Sequence, residues 1–90
     1  MLVLTLPPPI STHLQGLSRL ELKANTLQAM VGELREQYPK LYGVLFTPQG
    51  TLNGFVNIYL NQTRVSDQLH TDRVLNEGDV LEVLVSVSGG

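Results

Sequence analysis

Ninety residues suffice for one domain and leave no room for a second. With 42% apolar and 16% charged residues, the composition is that of a globular chain and not of a disordered one. A net charge of −2 without a Lys/Arg cluster argues against nucleic-acid binding, and the lack of cysteine removes disulfides, thiolate metal sites and cysteine nucleophiles.

The first residues, MLVLTLPPP, carry no positive n-region, and a proline triplet follows a short apolar run. A buried strand is expected there instead of a signal peptide. The apolar runs are far too short to span a membrane. A cysteine-free chain also fits a reducing compartment, so a cytoplasmic location is expected.

Leu2, Leu4 and Leu6 alternate with Val3 and Thr5, the period of a strand. Pro7, Pro8 and Pro9 end it, because proline donates no ladder hydrogen bond. The stretch to Gly16 reads as a loop. Leu20 and Leu22 alternate with Arg19, Glu21 and Lys23, giving a second strand with one wet face and a hairpin with the first.

Asn25 or Thr26 is placed to cap a helix. Leu27, Met30, Val31, Leu34 and Tyr38 then form one helical stripe, with Glu33, Arg35, Glu36 and Gln37 on the wet side. Pro39 is expected to stop this helix. Gly32 inside it costs about 1 kcal/mol against Ala, and nothing in the sequence explains it.

Leu41 to Phe46 reads as a short strand or a packed loop. Thr47-Pro48-Gln49-Gly50 is a turn. Phe55 to Leu60 is a strand, with Val56, Ile58 and Leu60 on one face and Phe55, Asn57 and Tyr59 on the other. Asn61-Gln62 turns the chain, and Thr63-Arg64-Val65 forms a brief edge strand. Asn76-Glu77-Gly78-Asp79 is a tight turn in which Gly78 takes positive φ. Val80 to Val85 is the last strand.

The order predicts an α+β fold with a mixed sheet packed on one main helix. If the last strand lies beside the first, the arrangement is a β-grasp. The expected organisation is a β-grasp domain over residues 1–85 and a flexible Gly-Gly tail over residues 86–90.

Little in the sequence points to catalysis. His13 and His70 have no second ligand or nucleophile at useful spacing and read as solvated loop residues. Asp67, Asp72, Glu77 and Asp79 suit turn and capping roles better than acid–base pairs. Gly50 and Gly54 lack the strand-loop-helix setting of a phosphate loop. No metal site is expected, and no cofactor bound by the chain itself.

The final residues differ in kind. Gly89-Gly90 follows directly on a strand, and only glycine lets a backbone enter a narrow channel in a partner. Adenylation by ATP would convert the terminal carboxylate into a mixed anhydride. A sulfur nucleophile could then displace AMP and leave a thiocarboxylate.

Glu77-Gly78-Asp79-Val80-Leu81-Glu82-Val83, followed by Val87-Ser88-Gly89-Gly90, resembles the closing pattern of the ThiS/MoaD family of ubiquitin-like sulfur carriers. The likeness covers nearly the whole chain, including Thr26-Leu27 at the helix start. Phe55 to Asn61 is similar to the longer carriers that feed cysteine biosynthesis. One departure is Val85-Ser86, where the family often has proline before the tail.

The resemblance implies that Gly90 is adenylated and thiocarboxylated, and that Ser88 and Gly89 enter the activating enzyme. It implies a partner-facing role for Leu84, which Phe55 and Tyr59 would join if they share its face. The implied partners are an E1-like adenylating enzyme of MoeB/ThiF type, which supplies the ATP site, and a sulfur acceptor. That acceptor is a cysteine-synthase-like enzyme or, as the alternative, a molybdopterin synthase large subunit. The chain would be a carrier and not an enzyme, and a monomer on its own. A ubiquitin-like protein modifier and a plain interaction module are the competing readings.

Overall fold

The computed structural model describes residues 1–86. Ser88, Gly89 and Gly90, with most of the expected tail, therefore lie outside the described residues. Strand β1 (Leu2–Thr5) is followed by a one-turn helix α1 (Pro8–Ser11), a 3-10 turn, and strand β2 (Arg19–Leu22). Helices α2 (Leu27–Gln37) and α3 (Pro39–Leu45) come next. Strands β3 (Val56–Leu60), β4 (Thr63–Arg64) and β5 (Val80–Val85) complete the order.

The five strands make one sheet in the order β2-β1-β5-β3-β4. β5 is parallel to β1 and antiparallel to β3, so the last strand occupies the centre, as the β-grasp expectation requires. The alternation in the sequence decides the two faces. Leu2, Leu4, Leu20, Leu22, Val56, Ile58, Leu60, Leu81 and Val83 are all buried against the helices. Burial of such side chains contributes roughly 1.5–3 kcal/mol each.

Helix α2 supplies the matching stripe. Leu27, Met30, Val31 and Leu34 are buried, and Tyr38 packs partly buried beside them. The first turn leaves no free donor. Thr26 Oγ1 accepts from Ala29 N–H at 3.1 Å. Leu27 and Gln28 N–H donate to the carbonyls of Arg73 and Thr71, each at 3.0 Å. The long connection before β5 is thus laced onto the start of the helix through that helix's unsatisfied amides.

Glu33 performs the corresponding task at the other side. Its carboxylate accepts from Lys23 N–H at 2.9 and 3.0 Å and from Ala24 N–H at 2.9 Å. These bonds close the end of edge strand β2 and tie it to α2.

Two expectations need correction, and a third, the stop at Pro39, is met and extended. Residues Leu41 to Leu45 are not a strand or loop but belong to α3. Leu41 and Leu45, one helical turn apart, are buried, and the Tyr42 and Phe46 rings stack at 4.7 Å between centroids. Pro39 does not merely stop α2; it occupies the first turn of α3, where its missing N–H costs nothing. The stretch after Pro7 is likewise a helical turn and a 3-10 turn, not an open loop. Ile10 and Ser11 are buried in it.

Gly32 lies inside α2, and an added Cβ there meets nothing within 4 Å. Its cost is therefore backbone entropy alone. Gly32→Ala is expected to stabilise the domain by about 1 kcal/mol in chemical denaturation. A loss of stability would mean that the added Cβ meets an unfavourable contact within the fold.

Candidate functional site

The covered face of the sheet is core, so any partner must meet the helices, the edges or the open face. The open face is built by register. Glu82 stands beside Thr5 of β1 on one side and Tyr59 of β3 on the other. Tyr59 in turn faces Arg64 of β4, and Thr5 faces Arg19 of β2. One residue pair further along, Leu84 stands opposite Asn57.

Leu84 is 39% exposed and Phe55 58% exposed, while Tyr59 is half-buried. Ser86 N–H donates to the Phe55 carbonyl at 2.8 Å, so Phe55 sits beside the last described residue. Leu84, Phe55 and Tyr59 thus belong to the open side of the β3–β5 pair, as their alternation predicts. Val80, on the same face at the start of β5, is 40% exposed.

This face is held by a clasp at the opposite end of β5. Asn61 and Gln62 turn from β3 to β4 with φ of 48° and 75°, the positive values of a mirror-image hairpin turn. Asn61 Nδ2 donates to Asp79 Oδ1 at 3.0 Å, and Asn61 Oδ1 accepts from Val80 N–H at 3.0 Å. Asp79 Oδ2 accepts from Asn76 N–H at 2.7 Å. Gly78 takes φ of 87°, which a side chain would strain. The backbone N–H of Asn76, then the Asn61 amide, hold the Asp79 carboxyl below its ordinary value of 3.8.

The geometry offers little for catalysis. His70 is exposed and lines a cleft with Arg35, Tyr42 and Thr51, in which no carboxylate takes part. Among the described residues no group of three or more His, Cys, Asp or Glu is arranged to hold a metal. Nor is any described helix long and apolar enough to cross a membrane.

The sequence reading did not single out Arg64, Asn57 or Ser66. Arg64 Nε donates to Asn57 Oδ1 at 3.0 Å, and Ser66 Oγ donates to the same oxygen at 3.2 Å. A signal was available. A two-residue turn at Asn61-Gln62 fixes Leu60 opposite Thr63 and Tyr59 opposite Arg64, which brings Arg64 to the open face.

A mixed five-stranded sheet with its last strand at the centre and helices on one face is the β-grasp, ubiquitin-like fold. The ThiS family pattern matches residues 12–90, and the chain belongs to that family. The sulfur carrier protein CysO of Mycobacterium tuberculosis is 28% identical over 88 residues, spanning 96% of this chain and 95% of the relative. The crystal structure of Mycobacterium tuberculosis CysO is similar at a TM-score of 0.77 and 26% identity, over 97% of this chain and 100% of that one. A structure of the BexX/CysO complex from Amycolatopsis orientalis gives a TM-score of 0.78 at 23% identity, over 100% of both chains. The relative of known name is a sulfur carrier protein, which with the family match supports a sulfur-carrier role for this chain.

The clasp makes a pH-dependent prediction. A lowered native pKa stabilises the fold above the unfolded value, and that stabilisation is lost as pH falls through the native value. The thermal midpoint of the wild type should therefore drop below pH 3.8 more steeply than that of Asp79→Asn. At neutral pH, Asp79→Asn should cost about 1 kcal/mol through its weakened hydrogen bonds. Parallel acid profiles for the two proteins would show that the Asp79 charge has no part in the clasp.

Proposed function

We propose that this chain carries sulfur as a thiocarboxylate on Gly90 and delivers it to cysteine biosynthesis. The observation that carries the reading is the family match over residues 12–90, which takes in the Gly89-Gly90 pair beyond the central strand. The pathway rests on the named carrier at 28% identity and on the strand that leads into the Asn61 turn.

The chemistry falls into two displacements. The Gly90 carboxylate attacks the α-phosphate of ATP in an E1-like adenylating enzyme and releases pyrophosphate. A sulfide nucleophile then attacks the acyl carbon, expels AMP and leaves the thiocarboxylate. The thiocarboxylate sulfur then attacks an electrophilic carbon of the acceptor substrate and displaces its leaving group, and water cleaves the resulting thioester, which leaves the sulfur on the acceptor and restores the Gly90 carboxylate. The chain contributes an acyl end and a docking surface; ATP is bound by the partner.

Ser88 and Gly89 form the narrow lead to Gly90, and glycine there permits close approach of the partner's backbone. Leu84, Phe55 and Tyr59 are the apolar contacts on the open face beside the start of that lead. A cytoplasmic monomer fits this role, because the same tail must reach an activating enzyme and then an acceptor. The acceptor is a cysteine-synthase-like enzyme, and the described binding of a CysO to BexX supports reception by a second protein.

Incubation with ATP, sulfide and a ThiF-type adenylating enzyme should replace one oxygen by sulfur at Gly90, read by intact mass and C-terminal fragmentation. Deletion of Gly90 should abolish the change. A cysteine-synthase-like enzyme supplied with the product and with an alanine derivative that bears a leaving group on Cβ should then return the carboxylate form and generate a sulfur-containing amino acid. An unchanged mass with an adenylating enzyme that binds the chain would overturn the carrier reading.

A further inference from the structure

We propose that Arg64, fixed by Asn57 and Ser66 at the margin of the open face, takes a carboxylate of the activating partner and sets how the chain docks. This inference rests on the carrier reading above and adds a specific contact to it.

An exposed arginine ordinarily samples many rotamers, and ordering it on binding has an entropic cost. Here Arg64 Nε already donates to Asn57 Oδ1 at 3.0 Å. Asn57 is itself held. Ser66 Oγ donates to the same oxygen at 3.2 Å and accepts from Ile58 N–H at 2.9 Å. The guanidinium is therefore oriented through Nε, and its two terminal amino groups stay available for a forked acceptor. Among the described residues no carboxylate lies within ion-pair distance of it.

The surroundings define the ligand. Asn57, the anchor of Arg64, stands directly opposite Leu84, so the cation borders the apolar part of the face. Glu82 occupies the neighbouring register position, across Tyr59 from Arg64. A carboxylate approaching over β5 meets repulsion from Glu82, whereas one approaching over β4 meets Arg64. The complementary partner thus places an apolar contact against Leu84 and a carboxylate side chain beyond it, over β4. Asn57 is a positioning residue in this scheme, because it acts through Arg64.

The test measures binding of the full chain to a ThiF-type adenylating enzyme by titration across ionic strength, with adenylation followed by pyrophosphate release. Arg64→Gln should weaken binding roughly tenfold at low salt and flatten its salt dependence. Arg64→Glu should weaken it further. Both should raise KM and leave kcat within about twofold, since the reacting end is untouched. Asn57→Ala discriminates a positioning role from a merely structural one. It removes the acceptor for Nε and leaves the Arg64 charge in place, so it should weaken binding severalfold while the salt dependence and the thermal midpoint are kept.

Wild-type affinity in Arg64→Glu, with loss on Leu84→Glu, would overturn the Arg64 contact and leave the carrier reading intact. Wild-type affinity in Asn57→Ala alongside a weakened Arg64→Gln would overturn the anchoring by Asn57. Failure of the wild-type chain to acquire sulfur at saturating adenylating enzyme would overturn both readings together.

Discussion

The side-chain clasp between Asn61 and Asp79 is the interaction on which the rest of the arrangement depends. β5 is the central strand, and its register against two neighbours decides which of its residues face solvent. A slip of one residue would turn Leu84, Glu82 and Val80 into the core and expel Leu81 and Val83. The clasp prevents that at the point where the strand begins. Asn61 binds both the Asp79 carboxylate and the Val80 amide, while Val3 N–H donates to the Asp79 carbonyl at 3.2 Å. One short segment thereby sets β5 against β3 and β1 at once. The position of Ser86 beside Phe55 is the consequence at the other end of the strand.

Much of this was legible because the sheet obeys a period of two. Leu2, Leu4 and Leu6, Val56, Ile58 and Leu60, and Leu81 and Val83 declare their faces in the sequence, and all are buried. The Thr26 cap and the Leu27-to-Leu34 stripe were equally clear, since capping chemistry and helical spacing agree there. The Gly78 turn was legible for a steric reason, as positive φ next to an acidic residue favours glycine.

Helix α3 was not legible for an equally physical reason. A short apolar run such as Leu41 to Phe46 satisfies a buried strand and a buried helix alike. What separates them is the pairing of Leu41 with Leu45 and of Tyr42 with Phe46, which has meaning only once the chain has turned against α2. Pro39 was read for the half of its behaviour that ends helices, and the structure uses the half that starts them. The Arg64 cluster was hidden because it is a product of register. Asn57, Arg64 and Ser66 are separated in sequence and become neighbours only through the β3–β4 turn. Gln62 at φ 75° is the least foreseeable element, because a mirror-image turn favours glycine at that position.

The division of labour between the two faces follows from the size of the domain. A chain of 90 residues has surplus apolar surface for only one core, and that core consumes one side of the sheet together with the α2 stripe. Among the described residues the other side keeps Phe55, Val80 and Leu84 exposed. It is left partly apolar around Leu84 and Phe55, with Glu82 and Arg64 placed to either side of Tyr59. Apolar contact there gives area, and the charges give orientation. What the fold supplies is a rigid frame for that face, because β5 is hydrogen-bonded to a neighbouring strand on both sides.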